Sequence, residues 1–231
     1  MHRRDISHFG KASLQMIDEY DSPPTFNWFK YPEEEREHVS LINTDVRLLD
    51  LHTSTFNDAV ALTEHCHQLR HQKSLDEMTM EDMPIRRQFA NWQMLASRDA
   101  AFSIYHFRAS LISSRDQLKL APSLKEKVDT KGLEAAYKRF CEEFPLAKDL
   151  RNTVGHWADM IFSNKEKKKH YADNGPVIIN AYNGTLRRLT MMRNKEQLSL
   201  DVTADTLNRL VSIKRDAWVA FHKADAQYHE A

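Results

Sequence analysis

Arg151, Asn152 and His156 are the residues of this chain whose types and spacing best suit chemistry. They fall in Asp149-Leu150-Arg151-Asn152-Thr153-Val154-Gly155-His156-Trp157-Ala158-Asp159, shortly after Phe144-Pro145. Arginine stays charged and grips phosphate through a planar fork of donors. Imidazole gives or takes a proton near neutral pH. Together they suit phosphodiester chemistry. On a helix Asn152 and His156, four apart, share a face, so the amide can orient the imidazole. Asp159 follows three residues later and favours the charged ring. Arg151 is less well placed, because five residues turn the helix by about 500° and leave the two side chains about 140° apart. One helix alone does not make them converge; a second copy facing it would.

These residues need a helix to carry them, and the spacing predicts one over about 146–163. Leu146, Leu150, Val154, Trp157 and Ile161 form its core stripe, and Pro145 suits a first helical position. Gly155 costs about 1 kcal/mol relative to alanine inside a helix. A close approach by another helix is the expected compensation. The run Asn164 to His170 follows directly and includes Lys165, Lys167, Lys168 and Lys169. It reads as a solvated loop, or as a basic patch that gathers a phosphate backbone near Arg151 and His156.

Around this helix the pattern is mostly helical. Helices are expected at about 36–71, 84–118, 131–143 and 204–226, the first with a kink near Thr53-Ser54-Thr55, the last capped by Thr203. The 84–118 segment is apolar on more than one face, as befits a central helix, and Ala100 and Ala101 suggest close contact there. Tyr105 and His106 on it are either polar site residues or packed rings. The period changes between 176 and 202. Pro176 to Tyr182, Thr185 to Met192 and Leu198 to Val202 read as a three-stranded antiparallel meander, with Asn183-Gly184 as the strongest turn signal. Residues 1–35 read as an irregular arm, with Phe26, Trp28, Phe29 and Tyr31 as an aromatic knot around Pro23-Pro24. The expected fold class is mainly α: a helical bundle spanning 36–231 with an added N-terminal helix and a small β-meander before the last helix.

Composition narrows the function classes. The chain has 231 residues, with 33 Lys+Arg against 33 Asp+Glu, so it lacks the basic excess of a protein that holds duplex nucleic acid along its length. Any nucleic-acid contact is expected to be local. Two cysteines, Cys66 and Cys141, argue against a disulfide framework and for a reducing, cytoplasmic setting. The first residues lack the apolar stretch of a signal peptide, and no apolar run approaches membrane-spanning length. His67 and His71 have a spacing that can clamp a metal, yet no second pair of ligands stands out, so neither metal nor cofactor is expected.

At Leu150-Arg151-Asn152-Thr153-Val154-Gly155-His156 the chain resembles the HEPN superfamily. Its members are helical bundles carrying an arginine, commonly a following polar residue, and a histidine after a gap of four to six residues. Arg98 to Phe107 looks like the packed helix that precedes such a motif, and the likeness covers roughly 85–163. The resemblance implies metal-independent cleavage of RNA at a site made by two subunits. His156 would serve as general acid or base for attack by the ribose 2′-hydroxyl, Arg151 would stabilise charge on the phosphate, and Asn152 would orient and polarise. The chain departs from toxin-type members, whose tyrosine two places after the histidine is Ala158 here. The implied partners are RNA and a second copy of the chain, with a regulatory protein as a further expectation. The alternatives are a catalytically inactive HEPN-like module that binds RNA or protein, a structural helical dimer, and a bundle in which Arg151 makes a surface ion pair with Asp149 or Glu143 and His156 merely packs.

Overall fold

Buried positions on the first long helix recur at intervals of three or four: Val39, Ile42, Val46, Leu49, Thr53, Phe56, Ala59, Thr63 and Cys66. That rhythm puts one stripe on one side of a helix and forces it against a partner. The computed structural model describes residues 22–70, 77, 79–155, 187–193 and 196–229. In it α1 (Arg36–Arg70) lies along α2 (Met83–Lys119) in the most extensive helix–helix interface of the molecule. The pairs His38–Gln117, His52–His106 and Thr63–Gln93 run in opposite senses along the two helices, so they are antiparallel. α2 meets α1 with small residues, burying Ala96, Ser97, Ala100, Ala101, Ser103, Ser110 and Ser114.

Several hydroxyls along these helices are satisfied locally, whereas that of buried Thr63 finds no partner among the described residues. Ser97 and Ser103 each donate to the carbonyl four residues back at 2.8 Å, and Thr53 does the same to Leu49 at 2.7 Å. Thr55 donates likewise to Leu51 at 2.9 Å. α1 is one continuous helix through Thr53-Ser54-Thr55, the segment at which a kink was expected. The hydroxyls donate to carbonyls that the backbone ladder already uses, a bond that bends a helix without breaking it.

After α2 the chain makes a short α3 (Pro122–Lys125), which the sequence pattern does not announce, then α4 (Thr130–Glu143) and α5 (Ala147–Gly155). Asp129 caps α4 by accepting from the Gly132 amide at 3.0 Å. Pro145 stands in the turn before α5 and not at its first position, because the chain closes a tighter turn from Ala147 to the Phe144 carbonyl first. The final helix, α6 (Ala204–His229), packs on α4 and α1. Trp218 is buried at their junction and donates to the Val46 carbonyl at 3.2 Å. Arg139 of α4 spans to α6, meeting Asp216 at 2.7 Å and Ser212 at 3.0 Å.

Before α6 lie β1 (Arg188–Arg193) and β2 (Glu196–Asp201), paired antiparallel with Leu189 opposite Leu200 and Met191 opposite Leu198. These four side chains are buried, so one face of the hairpin closes onto the core as the alternation requires. The fold is thus mainly α with a small two-stranded antiparallel sheet before the last helix. The first expected strand and the Asn183-Gly184 turn lie outside the described residues, so the meander is represented by its second and third strands.

The described part of the arm is anchored by two rings and not four. Phe26 and Tyr31 are buried, while Trp28 and Phe29 stack on each other at 3.6 Å and stay exposed. Asn43 fixes the segment by accepting from the Phe26 amide and donating to its carbonyl, both at 2.8 Å. Buried Glu35 receives the amide and hydroxyl of Ser123 at 3.0 and 2.8 Å, tying the arm to the start of α3. Among the described residues no helix is long and apolar enough to cross a membrane.

The seam sets a clear expectation. Ala100→Leu inserts three carbons where α1 and α2 meet, and such overpacking costs about 1–3 kcal/mol. The urea midpoint should fall accordingly, whereas the same exchange at exposed Ala61 should leave it nearly unchanged.

Candidate functional site

α5 is amphipathic and short. Ala147, Leu150, Thr153 and Val154 are buried, which seats the helix on α2 and on both strands. Thr153 returns its hydroxyl to the Asp149 carbonyl at 2.7 Å. Arg193 of β1 reaches the same residue, meeting the Asp149 carboxylate at 2.5 Å and its carbonyl at 3.3 Å. The strand thus clamps the first turn of α5. Asp149 also lies where the helix dipole favours negative charge.

With those positions buried, Arg151 and Asn152 fall on the half-buried flank. The Arg151 guanidinium lies over the Tyr105 ring, its central carbon 5.1 Å from the centroid. One terminal nitrogen donates to Asn152 Oδ1 at 3.1 Å. The Nε is buried and finds no acceptor among the described residues. Neither acid considered for Arg151 pairs with it. Asp149 is taken by Arg193, and Glu143 by Arg139 at 2.7 Å. Among the described residues Arg151 makes no ion pair. It is braced by a ring and a neutral amide, and these leave its charge uncompensated.

Asn152 therefore braces the arginine through its carbonyl oxygen. The expected orientation of the imidazole by Asn152 involves His156, which lies outside the described residues, as do Lys165, Lys167, Lys168 and Lys169. Gly155, the last described residue of α5, is exposed. A Cβ built there would meet nothing within 4 Å among the described residues, so the expected helix approach is not made by them.

Tyr105 and His106 are the residues the sequence left undecided, and Tyr105 lies under the Arg151 guanidinium. Beside it His106 is exposed, and its ring lies 5.5 Å from that of His52 on α1. His52 was not singled out by any motif, since it follows ordinary helical spacing. Burial pushes its imidazole pKa down to about 4, with the neighbouring His106 as a second cause. A cavity of about 140 Å³ also opens where α5 begins, between Leu146, Leu150, Leu200 and Thr206, but it holds none of the residues nominated from sequence. Among the described residues no cluster of His, Cys, Asp or Glu could hold a metal ion. Glu64, beside His65 and His67, is engaged instead by Arg187 at 2.8 Å. Compared with known proteins, the chain matches no family model, no curated protein and no solved structure.

The His52 environment predicts a pH effect on stability. The folded imidazole titrates near 4 and the unfolded one near 6.5, so the unfolded chain takes up the proton first as pH falls. Stability should drop between about pH 6.5 and pH 4 and then level for this group. Urea midpoints measured across that window should show a slope in the wild type that His52→Gln reduces.

Proposed function

We propose that the chain is a metal-independent endoribonuclease of the HEPN kind, working as a homodimer in which two copies of Arg151 and His156 surround one phosphate. One observation carries the reading: Arg151 is held in place by the Tyr105 ring and the Asn152 amide, while the neighbouring acids Asp149 and Glu143 are bound to other arginines. A guanidinium braced by uncharged groups keeps its attraction for an anion, and its two terminal nitrogens match two phosphate oxygens.

In this reaction the ribose 2′-oxygen attacks the adjacent phosphorus as His156 takes its proton. The bond from phosphorus to the 5′-oxygen breaks, and that oxygen leaves with a proton from the second His156. The products are a 2′,3′-cyclic phosphate and a 5′-hydroxyl. Arg151 stabilises the charge gathering on the phosphoryl oxygens, where a preorganised donor is worth the most. Asn152 keeps Arg151 in register. The lysines at 165 and 167 to 169 extend the grip along the backbone. No described residue lies within 4 Å of a Cβ built at Gly155, which is compatible with an approach by a second copy of this helix. RNA as substrate, a regulatory protein partner and a cytoplasmic setting belong to the same proposal.

With chelator present, the protein should cleave mixed RNA. Arg151→Ala and His156→Ala should each lower the rate by about 10²-fold or more with helicity unchanged, as expected for loss of a charge-stabilising donor or a general acid–base. Activity that survives both substitutions overturns the proposal. RNA that binds in a salt-dependent way but is never cut would replace it with a catalytically silent RNA-binding module. Gly155→Leu should shift the chain from dimer to monomer by sedimentation and abolish cleavage together; a monomeric wild type removes the composite site.

A further inference from the structure

α2 places Phe102, Tyr105 and His106 on adjoining positions, one turn of helix in all. The His106 ring lies 6.4 Å from Phe102 at 22° between planes, and 5.5 Å from His52 of α1 at 27°. It meets the Tyr105 ring edge-on at 5.4 Å. Tyr105 in turn carries the Arg151 guanidinium at 5.1 Å. A continuous strip of four rings therefore leads from α1 across α2 to the cation on α5.

Three of these rings are half-buried and braced by the helices that bear them; His106 is exposed. Its two near-parallel neighbours hold an imidazole in a fixed attitude at the surface, where helix stability alone would be served as well by any polar side chain. His52 is uncharged at neutral pH, so beneath His106 lies a flat ring and not a second positive charge. The strip also ends at a guanidinium whose bracing groups are neutral. A ring beside such a cation repeats the pattern of a nucleotide, which presents a flat base beside an anionic phosphate. Unstacked bases of single-stranded RNA settle on aromatic faces of this sort, and every base has such a face to offer.

We infer that the ring strip of Phe102, Tyr105, His106 and His52 is a nucleobase-stacking subsite for single-stranded RNA, adjoining the phosphate grip at Arg151. The inference rests on Arg151 as the phosphate-holding group and adds the part of the substrate that this residue does not touch. His106 takes the base on its ring, Tyr105 sets the distance between ring and guanidinium, and His52 and Phe102 keep the imidazole from turning away. Duplex RNA, whose bases are already stacked on one another, gains nothing from the strip.

The test reads binding and not cleavage. A short labelled oligouridine and an abasic ribose-phosphate strand of the same length are titrated with the intact protein in chelator, by fluorescence anisotropy. The base-bearing strand should bind about 5- to 150-fold more tightly, the range set by stacking of one base. His106→Ala should remove most of that preference, and His106→Phe, which retains a flat ring, should restore it. Arg151→Ala should weaken both strands alike. Equal affinity of the wild type for the two strands, absence of binding to either, or an undiminished preference in His106→Ala overturns the subsite. A base preference that behaves as expected in a protein that never cuts RNA keeps the subsite and removes the nuclease.

Discussion

The close antiparallel contact of α1 and α2 is the constraint on which the other elements depend. It exists because α2 buries alanines and serines, and because Ser97 and Ser103 spend their hydroxyl donors on carbonyls of their own helix. Two helices of this length cannot bury their stripes in isolation; each supplies the other's missing face. Once joined, they offer two further surfaces. One receives α6, through Trp218 and the Val46 carbonyl. Another receives α5, which brings Arg151 over Tyr105 on the flank of α2. Loosening the seam would therefore disturb the arginine as well as the core.

Charge is distributed around this frame in a way that total composition conceals. The chain is neutral overall, yet its arginines are not equivalent. Arg139 is held by Glu143 and Asp216, Arg187 by Glu64, Arg188 by Asp201 and Arg193 by Asp149. Apart from Arg139–Glu143, which lies within α4, each of these pairs joins elements or closes a strand end, and at their exposure each is worth at most about 1 kcal/mol. Arg151 stands apart, with an aromatic face and an amide as neighbours. A surface pair neutralises its arginine; a ring holds one without doing so. On that difference, and not on the number of cations, the proposed phosphate site at α5 rests.

Most helix limits could be read from apolar spacing because the three–four rhythm is strong: Arg36–Arg70, Met83–Lys119 and Thr130–Glu143 fall within a residue or two of the expected spans. The pairing of the second and third strands was readable from alternation. Three features were not. The four-residue α3 is too short to leave a rhythm. The aromatic arm divides into buried Phe26 and Tyr31 and exposed Trp28 and Phe29, which four rings in one short stretch do not distinguish. Pro145 suits both a turn and a helix start, and only the local hydrogen bonds choose between them. At the site, Arg151 and Asn152 were nominated by residue type. Tyr105 was left between core and function, His52 passed without notice, and Arg193 gave no sign of meeting Asp149 across 44 residues of chain.

Local pattern determined which segments are helices, which face of each is apolar, and that an arginine followed by an amide begins the turn after Phe144-Pro145. These follow from dihedral preference and from periodic burial, both of which act over a few residues. Tertiary structure decided what surrounds the arginine. Whether a guanidinium meets a carboxylate or a ring depends on which helix lies across from it and at what height along the axis. That height is set by the packing of small residues in the α1–α2 seam and by the strand that clamps the first turn of α5. No spacing along the chain encodes it, because the contacts that fix it join residues tens of positions apart.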